Sequence, residues 1–351
     1  MQYVTWFVRL LYAAWMIPAG LNHFIRLYPQ PTGSQPLSIE VFTALLDSGL
    51  FTVVKAVELI AGFAVLLGFR MPLMLIAVLP VSFTVWYWDT ELQGWWTGSA
   101  IYGWSVLTCN LFLCLAYWES YKAMFARDVP PQAPLPALDI PSLLDILRIA
   151  LGVVLVLSAL RYFMPFLLAP YMPLPEFADP MALRLRTALD QSGLLAVAKF
   201  IHLVGGLMLL TKRSVPFALA AMMPVNVCAM FIAMLEGNLP LILAALVILG
   251  VNGLLMLAYL PSYKGVLSGG QLADGEGPEA GRNYESIFVN PMSGAPTRAY
   301  LWAAIPLAAA LYAYWQVVPG LNGPTGLWTL VLPAAIFAVG LGKSLAKKGE
   351  A

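Results

Sequence analysis

The chain has 351 residues, 60% of them hydrophobic and only 11% charged, with a net charge of +1. Apolar content on that scale cannot be hidden inside a water-soluble domain of ordinary composition, so the protein is expected to be integral to a bilayer. With no soluble basic stripe to neutralise phosphates, no nucleic-acid partner is expected.

The apolar runs are continuous, whereas barrel strands would alternate apolar and polar residues, so the spans are read as helices. Each needs about 20 residues to cross a roughly 30 Å hydrocarbon core. In chain order they fall at Val4 to Phe24, Leu50 to Phe69, Pro72 to Trp88, Ser99 to Trp118, Leu143 to Leu168, Leu194 to Thr211, Val215 to Leu235 and Leu239 to Leu260. Two more, Arg298 to Val317 and Gly326 to Leu345, close the chain. The first is too long for a signal-peptide core and lacks a small-residue cleavage pattern, so it is expected to stay as an anchor.

An internal repeat organises these spans. Gly49 to Val81 matches Gly193 to Val225 without a gap, at an offset of 144 residues, through pairs such as Lys55/Lys199, Leu59/Leu203, Gly62/Gly206, Pro72/Pro216 and Pro80/Pro224. Arg9 to Phe24 parallels Arg148 to Phe163, and "LAYWESYK" parallels "LAYLPSYK". The expected fold is therefore all-α, a polytopic membrane protein of about ten transmembrane helices: two tandem four-helix bundles plus a C-terminal helical pair. The modules are placed at 1–127 and 143–267, joined by a proline-rich linker at 128–142. A flexible cytoplasmic loop at 268–297, in which "YESIFVNP" could instead dock on a partner subunit, precedes a two-helix hairpin and basic tail at 298–351. The long loops after the first helix of each copy hold an amphipathic segment ending in "LLDSG" or "LDQSG", suited to lie along the membrane surface.

Basic residues gather in the even-numbered loops and the tail, among them Arg70, Lys122, Arg127, Lys212, Arg213, Lys264 and Lys343. By the positive-inside rule both termini are expected to be cytoplasmic, in a multi-pass protein of a bacterial-type cell inner membrane.

Lys55, Glu58 and Gly62 stand at i, i+3 and i+7, on one helix face; Lys199, His202 and Gly206 repeat the stripe. The lysine lies roughly 9 Å and the glutamate roughly 13 Å along the span. An ionised group on a lone helix at that depth costs about 3 kcal/mol or more, so both should face the bundle interior. His23 and Asn110 are candidate neighbours in the first copy, and Arg161, Asn226 and Asn252 in the second. Three readings stay open: a structural Lys55–Glu58 ion pair, a ligand or proton site on the same residues, and lysine snorkelling outward. Asn110 and Asn252 read as interhelical glue ahead of ligand contacts.

The histidines, His23 and His202, lie on different copies without H-x-x-x-H or E-x-x-H spacing, so no metal site is expected. Cys109, Cys114 and Cys228 lie inside spans without C-x-x-C spacing, which argues against thiol redox chemistry. The run "VWYWDTELQGWWTG" reads as an interfacial aromatic belt, with quinone stacking on Trp95 or Trp96 as the alternative and Asp89 and Glu91 expected in solvent.

"RLLYAAWMIPAGLNHF" and "SGLFTVVKAVELIAGFAVLLGFRMP" resemble the DoxX family of four-helix membrane proteins, through Gly20, His23, Glu58, Leu59, Gly62 and Gly68. The resemblance spans both copies. The second departs from it: His202 replaces the glutamate, Lys212 the later glycine, and Arg161 falls where the ending pattern is degraded, so activity resting on the glutamate is not expected there.

The resemblance implies quinone-linked oxidation or redox-stress complexes, and in related proteins assembly. The leading expectation is a quinone-interacting or accessory subunit of a membrane oxidoreductase system. Glu58 or His202 would exchange protons with the headgroup, and Lys55 and Lys199 would balance its charge. Its partners would be the lipid bilayer, a quinone and another membrane or soluble redox subunit, with no covalent cofactor. The other expectations are a non-enzymatic scaffold or assembly factor, and a small-molecule transporter. Whether the protein is itself an enzyme stays open.

Overall fold

A computed structural model describes residues 2–30, 32–131, 141–172 and 175–268, with residue 338. Among them the chain is helical and has no strand beyond one isolated bridge between Arg127 and Arg213. The first repeat forms α1 (Gln2–Ile25), α2 (Pro36–Asp47), α3 (Leu50–Leu67), α4 (Met71–Tyr87) with a π-helical turn at Trp88–Leu92, and α5 (Gly98–Ala116). A short α6 (Trp118–Tyr121) and a 3-10 turn at Lys122–Phe125 end it. The second forms α7 (Pro141–Phe163), α8 (Pro165–Leu168), α9 (Pro180–Gln191), α10 (Leu194–Leu210), α11 (Val215–Glu236) and α12 (Leu239–Ala258). A 3-10 turn at Leu260–Tyr263 and α13 (Lys264–Leu267) follow.

Among the described residues, six helices are long and apolar enough to cross a bilayer: Leu50–Leu67, Met71–Leu92, Gly98–Ala116, Leu143–Phe163, Val215–Glu236 and Leu239–Ala258. α9 and α10, bent by 79° at their junction, make a seventh if they are one broken span. Of the ten expected spans, the described residues thus account for six or seven. α10 has 17 residues and falls short alone. α1 forms over the expected stretch but is not among the six. The two last spans, most of the linker and the 268–297 loop beyond Ser268 lie outside the described residues. Apolar side chains left exposed, such as Leu239, Leu243, Leu246, Val247 and Leu257 on α12, leave the opposite side of that helix, Asn252, Leu255 and Ala258, to the interior. The chain is a multi-pass membrane protein.

The span expected over Leu143 to Leu168 is interrupted. Met164 leaves helical geometry at φ −125°, ψ 59° because it precedes Pro165, whose ring disfavours the α region for its neighbour. By contrast Pro80 and Pro224 sit inside α4 and α11 without ending them, as bundle neighbours allow in membrane helices.

The repeat is visible in the turns. Gly49 and Gly193, with φ of +82° and +81°, join the amphipathic helix of each copy to the next helix, and only glycine enters that region without strain. One turn later the copies differ in residue but not in backbone: Gly68 and Lys212 are both left-handed, and so are Arg70 and Ser214.

Contacts divide the chain into two compact units. The first comprises Met1–Ser38, Phe51–Ser120 and Gly265–Ala351; the second, Ile39–Leu50 and Tyr121–Lys264. The division follows the repeats except for short segments, so that most of α2 belongs with the second repeat and α13 with the first. In the first unit α5 packs on both α1 and α4, and α1 crosses α3 where Gly20 faces Leu59 and Gly62 faces Met16 and Ile17. In the second, α7 packs on α10, α10 on α11, α11 on α12, and α12 back on α7. The α7–α10 crossing is tight because Gly206 meets the Gly152 carbonyl and Val156.

Candidate functional site

In the first unit the helical spacing does bring Lys55 and Glu58 together. Lys55 Nζ donates to Glu58 Oε2 at 2.6 Å, with the lysine 7% and the glutamate 0% exposed. Neither side chain points out among acyl chains. Glu58 Oε1 is buried with no hydrogen-bond partner. The ammonium also lies 5.2 Å from the centre of the Phe51 ring.

His23 meets the same ring edge-on, with centroids 5.3 Å apart, and shares a hydrogen bond with Thr52 Oγ1 at 2.8 Å. Phe51 is thus in contact with both the histidine and the lysine. Asn110 belongs to a different cluster: its Nδ2 donates to the Tyr12 hydroxyl at 2.7 Å and to the Leu75 carbonyl at 3.3 Å. Tyr12 in turn bonds Ser82 Oγ at 2.6 Å, so one hydroxyl ties α1, α4 and α5.

The second unit is built differently on the same plan. With His202 in the glutamate's place, Lys199 has no carboxylate at i+3, and its Nζ donates instead to Ser158 Oγ on α7 at 2.7 Å. Lys199 is half-buried. His202 Nε2 shares a hydrogen bond with Asn226 Oδ1 at 3.1 Å, which leaves His202 Nδ1 and Asn226 Nδ2 buried and unpartnered. Asn252 is fully buried, and neither its Oδ1 nor its Nδ2 is bonded.

Arg161 is not drawn into this core. Its Nε donates to the Met172 carbonyl at 2.6 Å and fastens the loop that follows α7, as its counterpart Asn22 fastens the loop after α1 by bonding Gln30 and the Tyr28 amide. Both residues act on loop closure.

The expectation that Asp89 is solvated is wrong. It is 3% exposed, accepts a short hydrogen bond from the Ser99 hydroxyl, and has Oδ2 unpartnered. The π-helical turn re-aims it into the protein, where Gly103 on α5 leaves room beside its Cβ. Glu91 is exposed. Trp95 and Trp104 each meet Trp86 edge-to-face and lie tilted to one another, while Trp96 is fully exposed and in none of these ring contacts.

Sequence reasoning missed two buried arginines. Arg9 Nε and Nη2 donate to the Val65 and Leu66 carbonyls at 2.7 Å each, capping the end of α3. Arg148, 2% exposed, does the same for α10 through Leu209, the counterpart of Val65, and is held from behind by Asp145 at 3.1 Å. A guanidinium fork suits the bare carbonyls and negative end of a helix C-terminus. The signal was present: each arginine opens the matched Arg9 and Arg148 stretches.

Among the described residues no three His, Cys, Asp or Glu side chains are grouped as metal ligands. The buried polar groups that remain available are amides and an imidazole in the second unit, and in the first one carboxylate oxygen each of Glu58 and Asp89 with the Trp15 and Trp86 indole N–H groups. Such groups can bind hydroxyl or carbonyl groups and accept or return a proton. Comparisons with protein-family models, curated proteins and solved structures find no match to this chain.

Proposed function

We propose that the protein is a subunit of an inner-membrane oxidoreductase system, built of two tandem DoxX-like modules, that takes a quinone headgroup beside Glu58. The observation behind this reading is the half-used carboxylate: Oε2 is engaged by Lys55 while Oε1 is buried in the helix bundle without a partner. A buried acceptor of that kind is costly unless something completes it. A quinol hydroxyl bonded to Oε1 would do so, with the Lys55 ammonium balancing the charge. Placement of both termini in the cytoplasm belongs to the same proposal. It is supported by the meeting of Phe125–Arg127 with Arg213–Ser214 in the second unit, which gathers basic residues at one end.

The test is whether the purified full-length protein, held under reductant, saturably binds a short-chain benzoquinol, the form whose hydroxyl can donate to Oε1. Glu58→Gln should weaken that binding by at least about tenfold. No retained quinol and no quinol-dependent spectral or thermal change would overturn the proposal.

A scaffold or assembly role is the second reading. In its favour, Asn22, Arg161 and Asn110 all spend hydrogen bonds on the protein's own loops and helices. Under it, joint replacement of Lys55 by Met and Glu58 by Leu leaves function in cells intact.

A further inference from the structure

In the first unit the Tyr12 hydroxyl is a meeting point, bonded to Ser82 Oγ at 2.6 Å and to Asn110 Nδ2 at 2.7 Å. The second repeat keeps polar residues at both contributing places, Asn226 for Ser82 and Asn252 for Asn110, but puts Leu151 where Tyr12 stands. Leucine has no hydroxyl to offer. The consequence is visible in the amides: Asn252 Oδ1 and Nδ2 and Asn226 Nδ2 are buried without partners, and His202 Nδ1 beside them is unpartnered too. Their side chains are 0%, 2% and 6% exposed for Asn252, Asn226 and His202.

Each unpaired buried amide group is unfavourable, and a bound group restoring the missing bonds would offset that. The chemistry of that group is constrained. It must both donate and accept, because amide N–H and amide C=O are unpaired together. It should be neutral, because the three side chains supply no charge and the Lys199 ammonium is engaged by Ser158. Buried apolar side chains of the same unit, Leu151, Leu155 and Met222, suit an aromatic body, with the methionine sulfur able to contact a ring. The first unit shows what fits between such contributors, an aryl hydroxyl.

We propose that the polar core of the second unit binds a small neutral phenol, whose hydroxyl takes the place that the Tyr12 hydroxyl holds in the first. This goes beyond the quinone reading and needs neither Glu58 nor any redox step.

The experiment is a calorimetric titration of the purified full-length protein with phenol, with benzene as the apolar control for uptake into detergent. Phenol should bind the wild type saturably and benzene should not compete. Leu151→Tyr supplies the hydroxyl from the chain itself, so it should weaken phenol at least about tenfold and raise the melting temperature. Tyr12→Leu should create a second phenol site. Absence of saturable binding to the wild type overturns the proposal, as does equal binding by a folded Leu151→Tyr variant or equal affinity for benzene. Should Leu151→Tyr fail to fold, Asn252→Leu must show the same loss, and unchanged phenol binding there overturns the proposal. Phenol binding without any Glu58-dependent binding of benzoquinol sinks the quinone reading alone, and the reverse outcome sinks only this one.

Discussion

Glu40 and Arg184 occupy the same place in the two copies of the repeat, 144 residues apart, and are bonded to each other, Arg184 Nε donating to Glu40 Oε1 at 2.7 Å. Arg184 reaches Asp47 as well, at 2.8 Å, so α9 is fastened along α2 by one guanidinium and two carboxylates. The two helices begin at equivalent prolines, Pro36 and Pro180. A duplicated helix that meets its own copy would face like charge with like charge. Here the two copies have diverged to opposite signs, as this contact requires.

The hydrogen bonds and charge of Arg184 hold the Glu40 carboxyl below the usual carboxylate range. A lowered folded pKa means the stabilisation is fully present above the unfolded value and is lost as pH falls through the folded one, below about pH 4. Amide exchange in α2 and α9 should therefore be slow at neutral pH and should quicken on acidification. Arg184→Gln should show the fast exchange already at pH 7, and concentrated salt should move the wild type toward it, since both partners are substantially exposed. Identical exchange in wild type and variant at pH 7 would show that the pair fastens nothing.

The arginines at the ends of α3 and α10 lead to a larger effect. Arg9→Met removes two charge-assisted bonds and leaves the Val65 and Leu66 carbonyls bare in the interior. The expected loss is about 2–4 kcal/mol. Arg9→Lys should recover only part of it, because a single ammonium cannot reproduce the fork. Thermal unfolding of the three proteins in one detergent decides the order, and a lysine variant as stable as the wild type would disprove the fork.

For Lys55 and Glu58 the sign of the double replacement matters most. Removing one member leaves the other charged and buried, at about 3–5 kcal/mol. Lys55→Met with Glu58→Leu replaces the pair by apolar groups of similar volume and should be close to wild-type stability. If the double variant is as unstable as the singles, the pair has a packing role that apolar side chains cannot fill.

Orientation can be tested separately. In a background lacking Cys109, Cys114 and Cys228, a cysteine at Trp96, which is fully exposed, should react with an impermeant thiol reagent added outside intact cells. A cysteine at Lys212 should react only after permeabilisation. The reverse pattern would invert the protein.

Helix type and the repeat were legible in the sequence because continuous apolar runs and kept glycines are local signals. Lys55–Glu58 was legible for the same reason, as spacing on one helix fixes an i, i+3 contact. What was not legible depends on tertiary neighbours. The Asp89 carboxylate looked like part of a polar loop, and only the π-helical turn carries it inward beside Gly103. Tyr12 has no match in the second copy, where Leu151 stands, so the repeat alone does not point to it, yet its hydroxyl bonds Asn110 while the counterpart Asn252 is left without partners. His23 and Asn110, grouped by repeat position with Lys55 and Glu58, instead bond Thr52 and Tyr12. The apolar stretch of 17 residues at α10 was legible from composition, but the 79° bend that precedes it was not.

Adjacent glycines on α10 give a sharp test of how the second unit is packed. A Cβ on Gly206 would lie 2.9 Å from the Gly152 carbonyl oxygen and 3.2 Å from the Val156 amide nitrogen, both backbone atoms of α7 that cannot move without the helix. A Cβ on Gly205 would lie 2.5 Å from Met222 Sδ, the far part of a flexible side chain that can turn aside. Gly206→Ala should therefore destabilise the protein by about 1–3 kcal/mol, as overpacking does, and Gly205→Ala by less despite its closer contact. Melting temperatures of the two variants in the same detergent settle it. If Gly205→Ala proves the more damaging, α7 and α10 are not in the close backbone contact described here, and Met222 is held more rigidly than its flexible stem implies.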